Sequence, residues 1–204
     1  MAFIPKNFNK HIEDEIINHH QTYKIAPKGE YLENLFHNAF IKSGIESDWT
    51  PFNHGVGKDI ITDKKNRASI KTGQYTNKNL NAIKYSSYRT TSHTTLEAKL
   101  TYINEQENNI DYYLFCVPQM KFNSIKNIIE YTYTIYTKEE VLNTKDFNWV
   151  DTFTKKGKHK GWKGTIDNKI DMIEIIKSMS HQVWCVIPLN KLKEIAKIKI
   201  NVTT

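Results

Sequence analysis

Residues 111–118, DYYLFCVP, form an unbroken apolar run of strand length, bounded by an acid and a proline. A strand without polar alternation has no face to give to water, so it belongs inside a sheet covered on both sides. A fold built on it needs two covering layers, and the flanking sequence offers them. Residues 29–44, GEYLENLFHNAFIKSG, place Leu32, Leu35, Phe36, Ala39 and Phe40 on one helical stripe ended by Gly44. A second helix is expected from TTLEAKLTYINEQ, where Leu96, Leu100 and Ile103 share a face.

Between the helices, ESDWTPF is short and contains Pro51, so it reads as an edge strand or a loop. KDIIT and RASIKT read as paired strands around the turn DKKN. The order is helix, weak strand, two strands, helix, buried strand. It predicts an α/β (α+β) fold with a mixed central sheet flanked by helices. We expect a single domain over residues 1–204, with a core at about 29–118 and an elaboration at about 119–204. In the elaboration, EYTYTIYT reads as a strand, TKKGKHKGWKGT as a basic loop, QVWCVIP as an apolar strand, and a short Lys/Ile-rich segment ends the chain.

At 39% hydrophobic and 12% aromatic, the chain has neither a disordered nor a fibrous composition. No stretch approaches the roughly 20 apolar residues that cross a bilayer. The segment MAFIPKNFNKHIEDE turns acidic too early for a secretory signal. A soluble, cytoplasmic protein is expected. Cys116 and Cys185, the two cysteines, sit within apolar runs and read as buried, reduced thiols. His19, His20 and His37 lack further ligands at zinc-site spacing and read as surface residues. Nucleotide hydrolysis and serine chemistry have no supporting motif. The formal charge of +7 suits a polyanion partner without requiring one.

Asp59 lies on the first strand of the expected pair and Lys71 on the second. Phosphodiester hydrolysis needs a divalent cation beside the scissile phosphate and a hydroxide made close by. Mg²⁺ commonly takes one or two carboxylates together with water and phosphate. Side chains alternate along a strand, so Ser69 and Lys71 share a face while Ile70 points to the other. A lysine so placed can orient or deprotonate a water and balance charge on phosphate.

At these residues the sequence resembles the PD-(D/E)xK nuclease superfamily, and within it the type II restriction endonucleases, over residues 29–118. By that resemblance Asp59 in GKDII is the metal-binding aspartate and Lys71 in SIKTG the catalytic lysine. Glu33 in YLENLF matches the acid often found on the first helix, where it would be a second metal ligand. Lys58 stands where the pattern often has proline, and Ser69 where it has its second acid. In S-x-K variants a glutamate from a following helix can substitute, which makes Glu97 a further candidate. Thr94-x-x-Glu97 also reads as a capping box, an ordinary reason for that glutamate. The resemblance implies a restriction-endonuclease-like fold, a Mg²⁺ cofactor, a double-stranded DNA partner and a homodimer. Another nuclease of the superfamily, acting on junctions or lesions, fits the same residues. A DNA-binding protein without catalysis would need neither Asp59 nor Lys71.

Two segments are candidates for DNA contact. Residues 73–95 form a long polar stretch containing Gln74, Asn77, Asn79, Arg89 and His93. Gln74 can serve base edges, and Arg89 either a base edge or a phosphate. Residues 154–165 hold five lysines around Trp162; there Lys158, His159, Lys160 and Trp162 are expected to meet phosphate. His181 and Gln182, at the start of the last apolar run, are possible base readers.

Overall fold

The computed structural model describes residues 4–51, 57–63, 65–76, 81–166 and 172–204. In chain order it contains helices α1 (Phe8–Thr22) and α2 (Glu30–Lys42), then strands β1 (Ser47–Asp48), β2 (Ile60–Thr62), β3 (Asn66–Tyr75) and β4 (Ala82–Arg89). Helix α3 (Leu96–Glu107) leads into β5 (Tyr112–Asn123) and β6 (Ile128–Lys138). The chain continues through β7 (Asn148–Phe153), β8 (His159–Thr165), β9 (Met172–Ile176), β10 (Gln182–Pro188) and β11 (Lys193–Thr203). The result is a large, mostly antiparallel sheet flanked by three helices, a mixed α/β architecture.

The strand order is β11-β6-β5-β3-β4-β10-β9-β8-β7. Among the described residues only β3 and β5 run parallel, with Ser69 beside Tyr113 and Lys71 beside Phe115. Helix α3 lies in the crossover between them, as a parallel pair requires. Arg67 fixes the start of this pair: its guanidinium donates to both carboxylate oxygens of Asp111, at 3.0 and 2.7 Å. On the side of β3 away from β5, β2 pairs with residues 66–68 and β4 with residues 73–75. Lys71 lies between those two neighbours, where the sheet opens.

β5 has the burial its sequence demands. Tyr112, Leu114 and Cys116 join the core beneath α1 and α2, whereas Tyr113, Phe115 and Val117 join the core on the α3 side. The strand does not stop at Pro118 but runs on to Asn123. Its partner β3 ends its pairing at Thr72, opposite Cys116. Beyond that point β5 has a neighbour only in β6, and a missing N–H is tolerated there. Cys116 and Cys185 are buried free thiols, and burial pushes each up to about 12.

Several expectations need correction. Residues 73–95 are not one loop, because β4 occupies 82–89 with Ala82, Ile83, Tyr85 and Tyr88 buried; Asn77 and Asn79 lie outside the described residues. The basic segment 154–165 is the β7–β8 hairpin, in which Gly161 admits the Ile175 carbonyl to a place a Cβ would fill. The terminal Lys/Ile-rich segment is the long edge strand β11, paired with β6 over its whole length. Helix α1 and strand β9 are elements that sequence reasoning does not predict. His20 is no surface residue. It is buried, stacks on Tyr131, and accepts from the Tyr133 hydroxyl while donating to the Tyr23 carbonyl, and burial lowers its pKa. His37 is half-buried and bonds to Ser47 Oγ at 2.9 Å. The cap of α3 falls one residue later than expected: Thr95 Oγ1 accepts from Ala98 N at 3.2 Å, which leaves Glu97 exposed in the first turn.

Candidate active site

The β2–β3 hairpin carries Asp59 beside Lys71. Asp59 immediately precedes β2 and donates its N–H to the Ala68 carbonyl at 2.8 Å, extending the ladder by one residue. Its carboxylate then turns onto β3. Oδ2 accepts from Ser69 Oγ at 3.0 Å, Ile70 N at 2.5 Å and Lys71 Nζ at 3.0 Å. Among the described residues Oδ1 takes none of these bonds, so one lone-pair-bearing oxygen is held in place by its neighbour. The Asp59 and Lys71 side chains are 18% and 16% exposed, shielded yet still reachable by a small ligand. As the strand alternation requires, Ile70 turns the other way, into the core beneath α1 and α2.

Ser69 is fully buried, and its hydroxyl is spent on Asp59. It does not replace a second acid; it orients the first. Glu33 is the acid the structure brings alongside. It stands in the first turn of α2, half-buried, and Trp49 Nε1 donates to its Oε2 at 3.2 Å. Burial raises the Glu33 pKa, the charge of Asp59 raises it further, and the Trp49 bond and the Lys71 charge oppose both. Glu33 ionises in the field of Asp59 with Lys71 opposing, which makes the two carboxylates the candidates to hold a cation. A shallow hollow of about 70 Å³ opens beside Asp59, lined also by Asp48, Trp49 and Lys58. Among the described residues no group of three or more His, Cys, Asp or Glu side chains gathers as a metal cage. A pair of carboxylates still meets the demand of Mg²⁺, which keeps waters and takes substrate oxygens for the remainder.

Sequence reasoning overlooked three residues here. Trp49 and Asp48 come from the short β1 segment, whose approach to Glu33 and Asp59 is a matter of tertiary packing. Glu107 is buried behind the site. Its Oε1 accepts from the Tyr88 hydroxyl at 2.8 Å and from Tyr113, its Oε2 accepts from Leu142 N at 2.9 Å, and it lies within the field of Lys71. A legible signal existed: Glu107 falls on the Leu96, Leu100, Ile103 stripe of α3, a position from which an acid must be buried.

The proposed DNA-contacting residues are scattered. Gln74 is exposed on β3, opposite Lys84. Arg89 is exposed at the end of β4, where it is the register partner of Gln182. The Gln182 amide donates to the Tyr88 carbonyl at 2.8 Å, so its nitrogen secures the β4–β10 junction. Lys158 and Lys160 are exposed on the β7–β8 hairpin. His159 is half-buried against Lys177, and Trp162 is buried at 9% exposure in the α3-side core. No family model matches the chain, and no curated protein or solved structure is significantly similar to it.

Proposed function

We propose that the chain is a Mg²⁺-dependent endonuclease that cuts double-stranded DNA at specific sequences, in the manner of a type II restriction enzyme. The observation that carries this reading is the convergence of Ser69 Oγ, Ile70 N and Lys71 Nζ on one oxygen of Asp59, with Glu33 ionising in the same field. A structural ion pair needs none of this, since Lys71 alone would neutralise Asp59.

Asp59, through Oδ1, which takes none of those three bonds among the described residues, and Glu33 are the residues that would hold the cation. When bound, Mg²⁺ supplies Lewis-acid polarisation of the phosphate and a water of lowered pKa. Ser69 and the Ile70 amide fix the Asp59 carboxylate so that no reorganisation is needed on substrate binding. Lys71 has further N–H groups with which to orient an attacking water or to bond a phosphoryl oxygen as charge develops. Burial and the Asp59 charge raise the Glu33 pKa, so a cation held there would favour its charged form. Two copies of the chain, one on each strand, would produce the double-strand cut.

The test is digestion of a sequenced plasmid by purified protein in Mg²⁺. Discrete fragments are expected, and Asp59→Ala should lower cutting by at least about a hundredfold while duplex binding in Ca²⁺ persists. Lys71→Arg should also fail to cut, because a guanidinium is bulkier and is not deprotonated. Wild-type cutting by Asp59→Ala would remove the assignment.

A further inference from the structure

Away from Asp59, a second group of cations gathers around Trp162. Lys99, on the first turn of α3, is fully buried at 0% exposure. Its three N–H groups are accounted for: they donate to the Thr90 carbonyl at 2.7 Å, to the His93 carbonyl, and to His181 Nδ1 at 2.8 Å. An ammonium has no acceptor, so His181 must accept through Nδ1 and present Nε2–H as a donor. Lys177 repeats the arrangement. It donates to His159 Nδ1 at 2.8 Å, which turns the His159 Nε2–H toward the Gly161 carbonyl and Asp151. Both ammoniums lie over the Trp162 ring, Lys99 at 5.7 Å and Lys177 at 4.9 Å.

Among the described residues no carboxylate pairs with either lysine; Asp151 reaches only His159. The backbone is held out of its ordinary range to make this arrangement. Ser180 and His181 are consecutive left-handed non-glycine residues, at φ 54° and 50°. They are pinned by Thr91 Oγ1 donating to the Ser180 carbonyl at 2.7 Å and by Thr90 N and Oγ1 donating to the His181 carbonyl at 3.2 and 2.9 Å. Such strain persists only where surrounding bonds over-determine it, and it gathers at ligand sites. Here it seats the His181 ring on a buried ammonium.

We propose that Lys177 and His181, backed by Lys99, form a docking site for a phosphate-class oxyanion. Lys177 keeps N–H groups beyond its bond to His159, and His181 contributes Nε2–H. Lys99 has no donor left but adds positive potential from a desolvated position, where a charge acts most strongly on a neighbouring anion. The anion supplies the negative charge that no described residue brings to either lysine. It can be a backbone phosphate of DNA or the phosphate of a small molecule, since the recognition chemistry is shared.

Inorganic phosphate is the probe, titrated by calorimetry and by thermal shift against chloride at matched ionic strength. Wild type should bind it and gain thermal stability beyond the chloride control. Lys177→Gln should weaken phosphate binding about tenfold, the scale of one charge-assisted bond, with little change of melting midpoint in chloride. Lys121→Gln, which removes one exposed lysine of β5 outside both sites, should bind phosphate as wild type does, so that the loss in Lys177→Gln belongs to this site and not to net charge. If Lys177→Gln also weakens a random-sequence duplex in Ca²⁺, the natural ligand is a backbone phosphate. If duplex affinity is unchanged while phosphate binding falls, the ligand is a small phosphate compound. Absence of phosphate-specific stabilisation, or unaltered binding in Lys177→Gln, overturns the site. Neither readout involves cleavage, so this proposal and the nuclease reading fail separately.

Discussion

Glu33 is the side chain of the proposed site whose proton equilibrium the fold shifts. Burial and the neighbouring Asp59 charge raise its pKa above the ordinary glutamate value. Below that raised value the carboxyl is protonated and a poor ligand; above it the charge is present and unfavourable until a cation neutralises it. Mg²⁺ affinity should therefore fall as pH drops through a window above the ordinary glutamate range, measured by calorimetry from about pH 7 to about pH 4. Glu33→Gln should bind Mg²⁺ more weakly, and the pH slope in that window should vanish. An unchanged slope would assign the second ligand elsewhere. Glu97, the other candidate, is exposed on the first turn of α3, and Glu97→Gln in the same titration discriminates between the two.

At the scale of elements, the site depends on how the chain reaches β2. Gly57 precedes Asp59 by two residues and adopts φ +74°; a Cβ there would lie 2.0 Å from the Gln106 carbonyl oxygen near the end of α3. The segment entering β2 is thus docked against α3, so the helix and Asp59 are positioned together. Gly57→Ala adds both a left-handed penalty and a clash with backbone, which cannot swing aside. It should cost about 2 kcal/mol or more, a fall of roughly 5 °C in melting midpoint by calorimetry. Cutting should fall further than stability alone accounts for, because Asp59 moves with the segment. Gly57→Ala melting like wild type would show that the segment can detach from α3 without cost.

Across the whole molecule, the basic hairpin and the Asp59 site lie far apart in one continuous sheet. β8 is four strands along from β3, about 20 Å at the usual strand spacing. The tip is a tight turn in which Gly157 takes φ +77° and Lys155, Lys156 and Lys158 are all exposed. Exposed lysines on a protruding turn suit phosphate rather than bidentate base reading. Changing these three to Gln should weaken cognate and random duplexes by similar factors. For every lysine that meets a phosphate, its removal should flatten the slope of log K against log salt by about 0.9, read from binding isotherms in Ca²⁺ at several salt concentrations. A wild-type slope in the triple variant would show that the tip stays in solvent.

The sequence by itself determined the buried strand β5, the helices on either side of it, the β2–β3 pairing and the positions of Asp59, Ser69 and Lys71. These features are local: an uninterrupted apolar run, a helical stripe, and strand alternation are written within a dozen residues. Tertiary structure alone decided that Ser69 serves Asp59, that Trp49 holds Glu33, that Trp162 lies in the core, and that the Gln182 amide bonds the Tyr88 carbonyl. It also turned the polar stretch around Arg89 into β4, since hydrogen-bonding to β10 and burial of Tyr85 and Tyr88 outweigh a composition that favours loop. Lys99 and Glu107 stand between the two cases. Their places on the apolar stripe of α3 marked them for burial, but only the packed fold supplied the carbonyls, imidazole and tyrosine hydroxyls that make burial of a charge tolerable.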